Sequence, residues 1–160
     1  MEDILNKEPV KRVQKKLNEF SNELKVIVLN SSARTAQQAA ESLNTEVGSI
    51  VKSLLFKTED SFVLCLVSGD KRCSLNKLKK IKNQKDISMA SADQVKKVTG
   101  FSIGGVSPVG HLQQIEIFID EKLNRFNNIY AAAGHPNCIF KIDFDNLKKI
   151  TKGSIKNITE

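Results

Sequence analysis

The chain has no tryptophan, one tyrosine and three cysteines in 160 residues. Cys65, Cys73 and Cys138 are odd in number and form no CxxC pair, so we expect neither a disulfide framework nor a zinc knuckle. No apolar run approaches the roughly 20 residues of a membrane-spanning helix, and the first residues carry acids without an apolar signal core. These absences favour one domain of the reducing cytoplasm with no membrane partner.

The motifs of common cofactor enzymes are missing as well. The sequence holds no GxxxxGK[ST], no GxGxxG after a strand, no HExxH and no GxSxG. His111 and His135 are its only histidines, and nothing fixes a nucleophile beside either, so no Ser-His-Asp arrangement is supported. We therefore expect neither a cofactor nor a metal ion.

Positive charge is distributed unevenly along the chain. Lys and Arg number 25 against 18 Asp and Glu, which gives a net charge of +7 and a pI near 9.3. Seven basic residues and no acid lie in one segment, namely Lys71, Arg72, Lys77, Lys79, Lys80, Lys82 and Lys85. Such a segment is either a solvated face or a surface for an anionic partner such as nucleic acid.

Hydrophobic periodicity predicts an N-terminal helix and a first strand. Apolar residues recur at intervals of three and four from Val10 to Leu24, which places them on one stripe with basic residues on the other side. The β-branched run from Val26 to Leu29 is typical of a buried strand. We assign residues 1–30 to this helix and strand, as part of the same domain as residues 31–160.

The rest of the chain mingles strands with short capped helices. A β-hairpin is predicted from VGSIVKSLLFKTEDSFVLCLVSGDKRC, and capping boxes from Thr35 with Gln38 and Ser91 with Gln94. Short helices are predicted at 35–44, 75–81, 91–100 and 143–151, and further strands at 87–89, 115–119, 129–133 and 138–142. This order favours an α/β (α+β) fold, with a compact mixed sheet or small barrel and peripheral helices.

Lys52 is a charge inside the apolar run SIVKSLLF. The period of a strand places it on the same face as Ile50 and Leu54. Lys52 is either an edge lysine that prevents aggregation or a cation aimed into a cleft, where it would hold a phosphate or an ester oxygen.

Two further segments are candidates for a site. FSIGGVSPVGH is rich in Gly and Pro, and we expect Gly104 to need either a glycine conformation or a close approach. Its backbone amides can surround a small group, or it is a plain connection. In AAAGHPNC, small side chains leave space beside His135 and Asn137, which are an acid/base and an amide candidate, although a histidine there is often structural.

Five ordered segments together resemble the YbaK/ProX family, the editing domains associated with prolyl-tRNA synthetase. They are SARTAQQAAESLN, IVKSLLFK, VLCLVSGDKRCSLNKLKKI, VTGFSIGGVSPVGH and AAAGHPN, and the resemblance covers about Ser32 to Thr151. It implies a free-standing aminoacyl-tRNA deacylase that acts on mischarged tRNA, typically tRNA(Pro), with prolyl-tRNA synthetase as a further partner. The alternative is a module of the same fold that binds tRNA or a synthetase without turnover.

The resemblance also implies roles for individual residues. It places Lys52 near the 3′-terminal phosphate and adenosine of the tRNA, and the backbone amides of 104–108 opposite the substrate carbonyl. Gly134 and His135 match the alanine-specific branch, whereas Ala132 and Ile139 stand where the cysteine-specific branch has Ser and Asp. The catalytic candidates are Lys52, Gly104, Gly105, Pro108 and His135. The substrate-binding candidates are Ser53, Ser107, Ala132, Gly134 and Asn137. The tRNA-binding candidates are Lys71, Arg72, Lys77, Lys79, Lys80 and Lys82. The attacking water would be oriented by a tRNA hydroxyl or by His135.

Overall fold

The computed structural model describes residues 3–160, and within them five α-helices and eight β-strands. The helices are α1 Glu8–Phe20, α2 Ala36–Leu43, α3 Leu75–Lys82, α4 Ala92–Thr99 and α5 Phe144–Thr151. The strands are β1 Ile27–Val28, β2 Ile50–Lys57, β3 Phe62–Ser68, β4 Ser88–Met89, β5 Glu116–Asp120, β6 Ile129–Ala132, β7 Cys138–Ile142 and β8 Ser154–Lys156. None of these helices is long and apolar enough to cross a membrane.

All eight strands belong to one mixed sheet. Its order is β1-β7-β6-β2-β3-β5-β8, and β4 pairs with the far end of β2. The hairpin β2–β3 is antiparallel as predicted, while β2–β6, β3–β5 and β5–β8 are parallel pairs. The prediction of a mixed α/β fold with peripheral helices is confirmed.

Short-range signals set where the helices begin. The side chains of Thr35, Ser74, Ser91 and Asp143 each accept a hydrogen bond from a backbone amide in the first turn of α2, α3, α4 and α5. Both predicted capping boxes, with Gln38 and with Gln94, are present.

Helix α1 packs on the same core as the sheet. Val10, Val13 and Leu17 are fully buried in the largest apolar cluster, which also contains residues of β2, β3 and β5 to β7. The helix ends at Phe20 and does not reach Leu24, so its predicted length was wrong. The chain turns to an extended conformation at the following residue, where a serine is a poor helix former.

The two outer strands depart from the sequence prediction. A strand is present inside the predicted segment from Val26 to Leu29, as β1, but Ile27 and Val28 are 42% and 43% exposed, so the predicted burial is wrong. Strand β1 pairs only with β7, at one edge of the sheet, which leaves it partly covered. Strand β8 lies at the opposite edge and was not predicted, because all three of its residues are exposed and show no apolar alternation.

Candidate functional site

A cavity of about 350 Å³ lies at the edge of β2 that faces away from β3. Strand β6 pairs with only the first two residues of β2, and β4 with only its last two. Within residues 3–160, no strand therefore lies along this edge of β2 between the two pairings. The cavity fills that gap, and the residues of its wall that matter below are Arg34, Lys52, Ser53, Gly104, Ala131 and Ala132.

Lys52 lies half-buried in the wall of this cavity. Its Nζ donates a hydrogen bond to the carbonyl of Lys71 at 2.5 Å. Burial lowers the pKa of the Lys52 ammonium, and negative charge on the nearby Cys73 and Asp70 opposes that shift. The position favours the cation in a cleft over the edge lysine.

The chain segment that holds Lys52 is itself fixed by Arg125. The Arg125 guanidinium donates to both oxygens of Asp70, at 2.8 and 3.2 Å, and to Oγ of Ser68 at 2.8 Å. This hydrogen-bonded pair lowers the pKa of Asp70 to about 2. The turn after β3 is thereby anchored, and with it the Lys71 carbonyl that positions the ammonium of Lys52.

Ser53 carries an unused polar atom at the cavity wall. Among the described residues, its Oγ is the buried side-chain oxygen that has no hydrogen-bond partner. Backbone groups two residues apart in a strand point to the same edge, and the Leu55 carbonyl accepts from Ala90 on the cavity side. The amide and carbonyl of Ser53 therefore also point to the unpaired edge.

The loop 102–106 contributes Ile103, Gly104 and Val106 to the cavity wall, and two of its residues are glycines in close contact with neighbouring segments. Gly104 has φ +96°, and a Cβ there would lie 2.8 Å from Cγ of Arg34. The prediction that Gly104 needs a glycine conformation or a close approach is thus confirmed on both counts. A Cβ at Gly105 would lie 2.9 Å from the backbone nitrogen of His135, and the Gly105 carbonyl accepts from the amide of Gly134 at 3.0 Å.

Arg12 of helix α1 contacts the chain just before and just after this loop. Arg12 donates from Nε to the Gly110 carbonyl at 2.8 Å and from Nη2 to the Thr99 carbonyl at 3.2 Å. Its guanidinium also lies 4.7 Å from the centre of the Phe101 ring. Basic residues of this helix were expected on the side opposite its apolar stripe, whereas Arg12 contacts the segments that flank the loop.

Several candidates of the sequence analysis do not line the cavity. They are Gly105, Ser107, Pro108, Gly134, His135 and Asn137. Ser107 is fully buried, and its Oγ accepts from the Val109 amide at 3.1 Å. His135 accepts at Nδ1 from the amide of Asn137, whose side chain donates to the Leu29 carbonyl at 3.3 Å. These residues shape the loop and the turn beside it, and their roles toward a substrate stay predictions.

The basic segment divides into parts that face different surroundings. Lys71 and Arg72 line a second groove, of about 480 Å³, to which Lys52 also belongs. Lys79 lines a separate surface depression, and Lys80 is exposed. The segment is therefore not one continuous face.

Two of the predicted tRNA-binding lysines make internal contacts. Nζ of Lys77 donates to the Thr159 carbonyl at 2.5 Å, and Nζ of Lys82 pairs with Glu116 at 2.5 Å. These contacts fasten α3 to the C-terminal residues and to β5.

Sequence reasoning missed three residues that shape the site. Arg34 lies over Gly104 at the cavity wall, and Asp70 and Arg125 fix the segment that holds Lys52. The only local signal at Arg34 is its place directly before the N-cap of α2. The ion pair joins residues 55 positions apart, which no local pattern reveals.

The sequence is similar to a known domain family and to curated proteins. Residues 30–150 match the aminoacyl-tRNA editing domain family. A proline–tRNA ligase of Caldicellulosiruptor saccharolyticus is 26% identical over 160 residues, which are 99% of this chain and 26% of the ligase. The uncharacterised protein YwhH of Bacillus subtilis is 31% identical over 134 residues, 83% of this chain and 85% of that protein. This chain thus spans about a quarter of the length of the ligase and most of the length of YwhH.

The architecture also matches a solved structure. A candidate trans-editing enzyme for prolyl-tRNA synthetase superimposes with a TM-score of 0.91 at 36% sequence identity, over 96% of this chain and 98% of the other.

Proposed function

Since this chain belongs to the aminoacyl-tRNA editing domain family, we propose that it is a trans-editing deacylase. It hydrolyses the ester that joins a small wrong amino acid, such as alanine, to tRNA(Pro), and thereby corrects the product of prolyl-tRNA synthetase. The observation that carries this proposal is the cavity beside β2. It combines a volume suited to a small aminoacyl group with the cation of Lys52 and the unused hydroxyl of Ser53.

An aminoacyl ester is already activated, so its hydrolysis requires a positioned water and stabilisation of the oxyanion more than a strong nucleophile. Gly104 and Val106 of the loop line the cavity. The amide of Gly105, in contrast, already donates a hydrogen bond to the Ser102 carbonyl at 3.0 Å. We assign oxyanion stabilisation to the amides of Gly104 and Val106. Lys52 neutralises charge on the tRNA end beside the ester.

His135 lies outside the cavity wall. This position favours a hydroxyl of the terminal ribose over His135 as the group that orients the attacking water. His135 then acts on the reaction by holding the turn against which the Gly105 backbone packs.

The small residues of β6 select the aminoacyl side chain by its size. Ala131 and Ala132 line the cavity that would hold the aminoacyl group, and a pocket excludes a larger side chain more easily than a smaller one. Ala132→Val should therefore slow serine or cysteine esters before it slows alanine esters.

The test is single-turnover hydrolysis of tRNA(Pro) charged with alanine, cysteine, serine, threonine or proline. We expect the alanine ester to react fastest and Lys52→Ala to slow it by on the order of 10²-fold, the size of effect seen when an active site loses one group that stabilises negative charge. Lys141→Ala is the matched control, because Lys141 is exposed on β7 and lines neither the cavity nor the groove. Tight binding of charged tRNA with no hydrolysis of any ester would establish the non-catalytic module instead.

A further inference from the structure

Two of the three cysteines meet on one face of the sheet. Along β3, Leu64 and Leu66 belong to the largest apolar cluster, whereas Cys65 belongs to a second cluster on the opposite face. Cys73, which follows the turn after β3, packs against this second cluster. Both thiols are free, and the thiol of Cys65 donates a hydrogen bond to the sulfur of Cys73. The two sulfur atoms are therefore in contact.

The same face of the sheet carries Lys52. Leu54 pairs with Cys65 across the β2–β3 hairpin, and Lys52 lies two residues before Leu54, so the three side chains point to one side. Cys73 lies two residues after Lys71, whose carbonyl accepts the hydrogen bond from Nζ of Lys52. The thiol pair thus adjoins the contact that positions the Lys52 ammonium.

The two thiols differ in their access to solvent. Cys73 lines the groove that borders Lys52 and is partly exposed, whereas Cys65 is fully buried. The hydrogen bond from Cys65 also lowers the pKa of Cys73, which favours the nucleophilic thiolate there. A small oxidant in the groove therefore reaches the more reactive thiol first and finds the second thiol in contact with it.

We propose that Cys65 and Cys73 form a reversible disulfide in the presence of hydrogen peroxide, and that this bond switches off the site at Lys52. The disulfide follows from the thiol pair alone, and only the activity that it switches off rests on the proposed function.

The oxidation takes place in two steps. The thiolate of Cys73 attacks one oxygen of the peroxide, the O–O bond breaks, and the departing hydroxide takes up a proton to become water. Cys65 then attacks the sulfur of the Cys73 sulfenic acid, the S–O bond breaks, and hydroxide leaves with the Cys65 proton as a second water. Each sulfur loses one electron, and the peroxide gains both.

Forming the bond changes the position of the chain at Cys73. A disulfide holds its sulfurs about 2 Å apart, closer than any hydrogen bond between two thiols. Cys65 lies in a strand that pairs on both sides, with β2 and β5, whereas Cys73 forms an isolated bridge with Thr159. The chain at Cys73 is therefore the part that moves. The Lys71 carbonyl moves with it, and the ammonium of Lys52 loses the acceptor that positions it.

The test compares reduced protein with peroxide-treated protein. Peptide mass spectrometry should find the peptides of Cys65 and Cys73 linked, with the loss of two hydrogen atoms. Single-turnover hydrolysis of alanine-charged tRNA should slow by about tenfold, less than for Lys52→Ala, because the ammonium is displaced and not removed. Dithiothreitol should restore the rate.

Cys138→Ala is the matched control. Cys138 is as fully buried as Cys65 but belongs to the largest apolar cluster, so this variant should lose activity under peroxide as the wild type does. Cys65→Ala and Cys73→Ala should each retain the rate of the reduced protein and resist peroxide. Unfolding midpoints show that each variant is folded.

The inference is overturned if peroxide produces no link between Cys65 and Cys73, or if the link forms and hydrolysis is unchanged. A reversible loss of activity in Cys65→Ala would also overturn it, in favour of a sulfenic acid on Cys73 alone. Hydrolysis by the reduced protein without any link refutes the disulfide and leaves the deacylase.

A link in a protein that hydrolyses no ester refutes the deacylase instead. The switch is then tested by the rate at which an N-hydroxysuccinimide ester acylates Lys52, read by peptide mass spectrometry. We expect faster acylation in the disulfide form, where the ammonium has lost its acceptor, and equal rates in the two forms would overturn the switch.

Discussion

Replacing Ser53 by alanine should stabilise the folded protein and at the same time weaken its reaction. The Ser53 hydroxyl is buried at the cavity wall without a hydrogen-bond partner. A buried hydroxyl that has lost water and gained no partner costs about 1–3 kcal/mol. Alanine removes this cost and leaves a small void that offsets part of the gain, so we expect the free energy of unfolding to rise by about 1 kcal/mol.

Ser107 provides a matched control with the opposite sign. Ser107 is fully buried, and its Oγ accepts from the amide of Val109 at 3.1 Å. Ser107→Ala leaves that amide unpaired and should lower the free energy of unfolding by about 1–2 kcal/mol. For a chain of this size, 1 kcal/mol corresponds to about 2–4 °C in Tm. The midpoints of the two variants should therefore move in opposite directions.

The assay combines thermal unfolding with single-turnover hydrolysis of alanine-charged tRNA. Together the two measurements test whether the Ser53 hydroxyl lacks a partner in the free protein and whether it contacts the substrate. A lower Tm for Ser53→Ala would show that the hydroxyl has a partner in the free protein. An unchanged rate of hydrolysis at the higher Tm would show that the substrate does not use it.

Two further predictions concern titrating groups. Asp70→Asn should lower the free energy of unfolding at neutral pH by about 0.2–1 kcal/mol, the range for a partly exposed ion pair. Arg125 holds the folded pKa of Asp70 at about 2, below the ordinary 3.8, so this stability is complete above about pH 5 and is lost as the pH falls through the folded pKa, down to about pH 1. Urea unfolding across that range checks it, and a difference that is as large at about pH 1 as at neutral pH contradicts it. Iodoacetamide should modify Cys73 before Cys138, since the hydrogen bond with Cys65 lowers the pKa of Cys73 while burial raises that of Cys138 to about 11. Peptide mass spectrometry reads the order, and equal labelling would refute this reasoning.

Local signals were sufficient for most of the helices and for the central hairpin. A capping box requires only two residues three positions apart, as in Thr35 with Gln38, and the structure has the same hydrogen bonds. The hairpin β2–β3 likewise joins neighbouring apolar runs across a polar turn. Both features are encoded within a few residues, so one sequence reveals them.

Features that depend on distant pairing were not predictable in the same way. Strand β8 exists because Ser154 to Lys156 lie beside β5, and the side chains of β8 remain exposed. A strand of this kind has no hydrophobic period of its own. The edge strand β1 shows the opposite case. Its residues Ile27 and Val28 are apolar, which predicts a buried strand, but both are exposed.

The candidate site combines both kinds of feature. Lys52 and Gly104 were identified because a cation in an apolar run and a glycine in a loop are unusual locally. The cavity between them arises because β2 is eight residues long and β6 is four, so that β2 extends beyond its parallel neighbour. Only the three-dimensional pairing shows that Ser53 falls in the unpaired interval, with its hydroxyl unsatisfied and its backbone groups free to bind. A substrate that completes this edge would supply the hydrogen bonds that the folded chain lacks, which is why Ser53→Ala is expected to separate stability from reaction.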